Sequence, residues 1–222
     1  MSTRNIEELL ASQRAYFRSG ATLSYEFRRD MLNKLMGAIK AHEKDIEKAL
    51  YEDLGKSDFE GFMCEIGLVK TELSHMSKNL RKYMAEKTVV TPLPQFASRS
   101  FQKPSPYGNV LIMSPWNYPF LLTMDPLVCA IAAGDTAIIK PSAYSPATSA
   151  VVKTIIEECF PPEYIAVVLG GRAENAALLD QKFDLIFFTG STNVGKEVLR
   201  HAAEYFNSSH FSAWWKEPMY CG

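Results

Sequence analysis

The sequence predicts an α/β protein, a doubly wound parallel sheet preceded by N-terminal helices and an extended arm. Three observations carry that reading. Apolar runs of strand length near 109–113, 135–139, 164–169 and 184–188 alternate with helical patterns near 119–133, 145–159, 172–180 and 192–205. The runs 110–113 and 136–139 are continuously apolar, as expected when helices cover both faces of a parallel sheet. Punctuation bounds them: Gly108 and Pro115 around the first, Pro141 after the second. Residues 107–140 therefore read as one βαβ unit, and ligands of such sheets sit at the carboxyl ends of the strands. Trp116, Asn117 and Lys140 fall at those ends.

The elements before this unit follow from helical spacing. Ile6, Leu9 and Leu10 mark a helix over 2–18, and Met31, Leu35, Ile39, Ile46 and Leu50 mark a second over 24–54, with Ser24 as N-cap and Gly55 as its stop. A third, over 58–86, carries Phe62, Ile66, Val69, Leu73, Met76, Leu80 and Tyr83. The expectation for all three stripes is core packing, ahead of a membrane-surface helix or a partner groove. From Thr88 to Pro106 the period changes, and Pro92, Pro94, Pro104 and Pro106 exclude a central strand. That stretch reads as an arm or edge hairpin.

Composition narrows the function classes. The chain has 222 residues with 24 Lys plus Arg against 25 Asp plus Glu, so nothing in the overall charge favours nucleic acid or an anionic membrane. There is no apolar run of spanning length and no signal-like start, which makes a cytoplasmic location the expectation. Cys64, Cys129, Cys159 and Cys221 lack zinc or disulfide spacing and read as free thiols, and the four histidines show no metal spacing. Asn207-Ser208-Ser209 fits a glycosylation sequon, which means little without a secretory signal.

Three motifs carry candidate chemistry, each with a plainer alternative. Gly190-Ser191 between a buried strand and a helix offers backbone N–H groups to a phosphate, or is a simple βα turn capped by Ser191 or Thr192. Lys140 at a strand end can donate to ribose hydroxyls or an added phosphate, or is a solvated lysine. Asn117, between Pro115 and Pro119, offers an amide donor of the kind an oxyanion hole needs, or satisfies turn backbone. Neither G-x-G-x-x-G nor G-x-x-x-x-G-K-[ST] is present.

Taken together, Ser-Pro-Trp-Asn-Tyr-Pro (114–119), Ile-Lys-Pro-Ser (139–142), Val-Leu-Gly-Gly (168–171) and Phe-Phe-Thr-Gly-Ser-Thr-Asn-Val-Gly (187–195) closely resemble the NAD(P)-dependent aldehyde dehydrogenases. The likeness is nearest the class 3-like branch, with fatty and medium-chain aldehyde enzymes, and runs from about residue 4 to Tyr205. The resemblance implies N-terminal helices (1–87) packing on the coenzyme domain, an oligomerisation arm (88–106), an incomplete Rossmann-like coenzyme domain (107–205), and a homodimer in the full-length family. It implies Asn117 as oxyanion donor, Lys140 and Ser142 at the adenosine ribose, and Trp116 lining the passage to the reactive centre. Gly190, Ser191 and Val194 would contact the coenzyme. In the family a cysteine thiolate attacks the aldehyde, hydride passes to the nicotinamide, and a glutamate-activated water releases the acid. Ala143 stands where many members have a Glu on the ribose, which leaves NAD or NADP open.

The family's nucleophilic Cys and general-base Glu have no counterpart in this sequence, so the chain alone is expected to be inactive. The alternatives are a noncatalytic nucleotide-binding or dimerising fragment, and an unfolded truncation product. After Tyr205 the likeness stops, and 206–222 is expected to be an aberrant tail that does not continue the α/β sheet. Codons for Trp214-Trp215-Lys216-Glu217-Pro218-Met219-Tyr220-Cys221, read one base later, force Gly-Gly and then Cys at the spacing of the family's Leu-Gly-Gly-Lys-Ser-Pro-Cys segment. The expectation is a frameshift, one extra nucleotide near the Tyr205 codon, in the gene or in its sequencing, although the shifted frame does not supply the Glu that precedes this segment.

Overall fold

The computed structural model describes residues 3–204 and 208–214. Helix α1 (Thr3–Arg18) is followed by α2 (Tyr25–Ala41), whose N-terminus is capped by Ser24 Oγ accepting from Phe27 N at 3.1 Å. The single helix expected over 24–54 is two, because His42 leaves helical geometry (φ −97°, ψ 13°) and α3 begins afresh at Glu43 and runs to Leu54. At the break the His42 ring lies between Asp45 and Glu158, 2.9 Å from each carboxylate. Gly55, at φ 68°, ends α3 as its left-handed cap. The third helical stretch is also interrupted. A short α4 (Asp58–Gly61) runs into a π-helical turn (Phe62–Ile66) and then α5 (Gly67–Met84).

Strands β1 (Lys87–Val89) and β2 (Ser100–Gln102) pair antiparallel as a separate two-stranded hairpin. Val90, Leu93 and Phe96, in the connection between them, are exposed. The main sheet holds β3 (Asn109–Met113), β4 (Thr136–Lys140), β5 (Ile165–Val167), β6 (Leu185–Ser191) and β7 (Ser208–Trp214), all parallel, in the order β5-β4-β3-β6-β7. Helices α6 (Leu121–Ala133), α7 (Pro146–Cys159), α8 (Arg172–Leu179) and α9 (Thr192–Glu204) connect them. The expectation that nothing after Tyr205 continues the sheet is corrected by β7, which satisfies backbone groups along β6 that would otherwise form an open edge. Residues 206–207 and 215–222 of the expected tail lie outside the described residues, as does the sequon's Asn207.

Alternation along the strands divides the core. Val110, Ile112, Ala137 and Ile139 join a cluster with Leu35, Leu50, Leu73, Leu127 and Ile155 from α2, α3, α5, α6 and α7. Leu111, Met113, Ile138, Ile186 and Phe188 face the other way, toward Ile6 and Leu10 of α1, Leu178 of α8 and Val198 of α9. Hence α1 and the other N-terminal helices cover opposite faces. At the amino end of the sheet, buried Asp135 accepts from Gly108 N (2.8 Å) and Asp184 from Asn109 N (2.8 Å), holding the start of β3. Burial pushes the Asp135 carboxyl up to about 6.

His42 yields the first prediction. Both ring nitrogens can donate only when the ring is doubly protonated, and the hydrogen bonds to Asp45 and Glu158 hold its pKa above the usual histidine value. A raised folded-state pKa gives stability that is full below the unfolded value, about 6.5, and is lost as pH rises through the folded one. The advantage of the native chain over His42→Gln in urea should therefore be full below about pH 6.5 and shrink as pH rises through the raised folded-state value. Its size should be no more than about 1 kcal/mol for so exposed a pair of carboxylates.

Candidate functional site

The chain goes from β3 outward through β4 to β5, then returns to place β6 on the other side of β3. That reversal opens a crevice outside the carboxyl ends of β3 and β6, the place where ligands of open α/β sheets bind. Two adjoining clefts occupy it. One, of about 380 Å³, is lined by Trp116, Lys140, Ser142, Gly170, Gly190 and Val194 among others. The second is lined by Pro115, Trp116, Asn117, Gly190, Ser191 and Asn193. All seven residues singled out from the sequence thus come together, with Trp116, Gly190 and Ser191 shared between the clefts.

Lys140 is not a solvated strand-end lysine. It is 3 % exposed, and its Nζ donates to the carbonyls of Pro141 (2.8 Å) and Gly170 (2.7 Å), leaving one of its three N–H groups for the cleft. Burial lowers its pKa, partly offset by the nearby Glu174 carboxylate. Gly170 must be glycine for this arrangement: its φ is +140°, and a Cβ would sit 2.3 Å from the Glu174 carboxylate. Glu174 is held in turn, its Oε2 accepting from Gly171 N at 2.8 Å where α8 begins. Ser142 Oγ accepts from Tyr144 N at 3.2 Å, and Ala143 lines the same cleft without a carboxylate.

At Gly190 the local structure differs from the turn expected. Strand β6 continues through Ser191, and α9 starts at Thr192 with no intervening loop. The room that glycine leaves is filled from within, because a Cβ on Gly190 would lie 2.6 Å from Phe188 Cζ. Asn117 does not satisfy the turn backbone. Its Oδ1 is buried without a partner, while its main-chain carbonyl accepts from Lys56 Nζ at 2.9 Å. Two further buried polar atoms in the first cleft, Asn175 Oδ1 and Thr189 Oγ1, also lack partners. Unpaired buried polar atoms of this kind call for water or a ligand.

The sequence reading passed over Lys56 and Glu65. A signal existed for the second: Glu65 lies three residues after Phe62 and four before Val69, inside an apolar helical stripe. The described cysteines stand apart from the clefts. Cys129 instead lines an apolar hollow with Ile112, Leu185 and Phe187, and burial and Asp125 push its thiol up to about 11. Among the described residues no cluster of His, Cys, Asp and Glu could hold a metal ion, and no helix is long and apolar enough to cross a membrane.

Comparison with known proteins agrees with this geometry. Residues 1–212 match the aldehyde dehydrogenase family, beyond Tyr205 where the likeness was expected to stop. The chain is 45 % identical over 199 residues to 4,4'-diaponeurosporen-aldehyde dehydrogenase of Staphylococcus aureus, covering 90 % of this chain and 43 % of that protein. It is 37 % identical to aldehyde dehydrogenase family 3 member H1 of Arabidopsis thaliana, covering 95 % of this chain and 44 % of the relative. The solved substrate-bound AldH of Staphylococcus aureus superposes with a TM-score of 0.94 at 43 % identity, covering 96 % of this chain and 46 % of that one. The chain spans less than half the length of these relatives. With a switch-point crevice, a buried lysine at its rim and family-wide similarity through residue 212, the chain belongs to the aldehyde dehydrogenase family.

Proposed function

We propose that this chain is the coenzyme-binding and oxyanion-donating part of an enzyme that oxidises an aldehyde to a carboxylic acid with NAD or NADP. The observation that carries the reading is the convergence of Lys140, the unpartnered Asn175 and Thr189 oxygens, and Asn117 on one crevice at the switch point. Lys140 directs its remaining N–H toward a ribose hydroxyl, with Ser142 beside it. Gly190, Ser191 and Val194 form the wall against which the coenzyme rests, and Trp116 separates that cleft from the Asn117 cleft. The bound nicotinamide supplies the hydride acceptor. Asn117 supplies an amide N–H to the oxygen that gains charge as the aldehyde carbon becomes tetrahedral, where one donor of an oxyanion hole contributes about 3–4 kcal/mol.

No described cysteine lines either cleft, so in this reading the chain alone binds coenzyme without turning over aldehyde. Ala143 presents no carboxylate to repel a 2'-phosphate, which supports acceptance of NADP as well as NAD. The same reading gives the β1–β2 hairpin to self-association, supported by Val90, 94 % exposed, and its exposed neighbours Leu93 and Phe96.

Thermal unfolding with increasing NAD or NADP tests the assignment. A concentration-dependent rise in Tm is expected, and no rise with either coenzyme would refute it. Lys140→Met should weaken binding roughly 10- to 100-fold, the loss of a charge-assisted hydrogen bond of about 1.5–3 kcal/mol. Because burial lowers the Lys140 pKa, binding should be present below the folded-state value and decline as pH rises through it, earlier than for an ordinary lysine. Titration of Lys140→Met by calorimetry should show no such decline.

A further inference from the structure

Behind Asn117 lies a buried ion pair that the coenzyme and oxyanion roles do not use. Glu65 is 0 % exposed and Lys56 7 %, with Nζ 2.6 Å from Glu65 Oε1. The other carboxylate oxygen, Glu65 Oε2, accepts from the backbone N–H groups of Phe120 (2.8 Å) and Leu121 (3.1 Å), the first free donors of α6. Lys56 Nζ donates also to the Asn117 carbonyl at 2.9 Å and sits 4.1 Å from the centre of the Tyr118 ring. The pair therefore grips residues 117, 118, 120 and 121 from outside the sheet.

Stability alone does not explain it. A buried lysine–glutamate pair is no better than break-even against well-packed apolar side chains, whereas removing one partner strands a buried charge. The backbone around Glu65 is also unusual, since the π-helical turn at Phe62–Ile66 interrupts the run from α4 to α5. One extra residue in a turn rotates the downstream side chains by about 100°, and such turns recur at functional sites. Here the departure from regular helix falls on the residue whose carboxylate reaches the start of α6.

We propose that Lys56 and Glu65 are positioning residues that fix the Asn117 turn, so that the side-chain amide is presented in one orientation. The inference rests on the oxyanion role of Asn117. Pro115 and Pro119 stiffen the turn from within, but Asn117 and Tyr118 keep ordinary backbone freedom between them. The Lys56 ammonium, on the Asn117 carbonyl and the Tyr118 ring, removes that freedom. Glu65 holds the lysine and, through the N–H groups of Phe120 and Leu121 where α6 begins, the far end of the turn.

The test uses nuclear magnetic resonance of the whole chain, without coenzyme, with asparagine side-chain amides labelled and the Asn117 pair assigned from Asn117→Ser. The double variant Lys56→Met with Glu65→Gln removes both charges together at similar volume, so neither is left unpaired. In it the Asn117 pair should shift and broaden or split, while the pair of Asn109, which donates to Thr136 Oγ1 at the opposite end of the sheet, stays unchanged. An unchanged Asn117 pair in that folded variant overturns the proposal. A second measurement needs no variant: in the native chain the Phe120 and Leu121 backbone N–H groups should exchange at least about tenfold more slowly than free-chain amides. Free-chain exchange at both positions also overturns it. Because no coenzyme is present, these results leave the coenzyme assignment to stand or fall on its own titration.

Discussion

The dominant constraint on this chain is that strands buried on both faces must be covered on both. Every residue of β3 and β4 is buried, so the sheet cannot exist as a half-covered layer. The N-terminal third meets that demand, sending α1 to one face and α2, α3 and α5 to the other before a strand of the main sheet has been made. Connecting helices complete the two layers. Apolar burial, at about 25 cal/mol per Å², supplies the drive, while the alternation of Val110, Leu111, Ile112 and Met113 decides which layer each side chain enters.

The polar groups of the sheet gather at its two ends. At the amino end the carboxylates of Asp135 and Asp184 are consumed by backbone N–H groups of Gly108 and Asn109. At the carboxyl end, polar groups are held but not exhausted. Lys140 has spent two of its donors on carbonyls, and Asn117, Asn175 and Thr189 keep oxygens without partners. Unmet buried oxygens occur at the amino end too, at Gln13 Oε1 and Tyr164 Oη, so the mark of the carboxyl end is that its unmet groups line a crevice.

Much of this was legible in the sequence because the signals were local. Continuous apolar runs, their punctuation by Gly108, Pro115 and Pro141, and helical stripes placed the elements and brought the candidate residues to one sheet edge. The features that escaped depend on partners distant in sequence. The break at His42 coincides with a contact to Glu158, more than a hundred residues on, which no helical period encodes. The burial of Lys140 depends on the Gly170 carbonyl, itself set by a glycine conformation that Glu174 requires. Gly190 was read for the ligand it could admit, whereas its nearest neighbour is Phe188 of its own strand. The grip of Lys56 and Glu65 on residues 117–121 is likewise a long-range pairing. Lengthwise, β7 was missed because its place beside β6 is a matter of edge satisfaction and not of pattern.

The passage of α1 to the face opposite α2 also bears on how the chain folds. Between them, residues 19–24 run past the end of α6, where Thr22 Oγ1 donates to the Gly134 carbonyl and Arg28 joins Thr22 to Ala132. Many apolar contacts of these helices lie on a sheet made from later parts of the chain. Contacts of that sequence separation carry a large loop-closure cost before they repay it. The N-terminal helices and the sheet therefore share one core, and a cut near residue 87 would divide that core and not two domains.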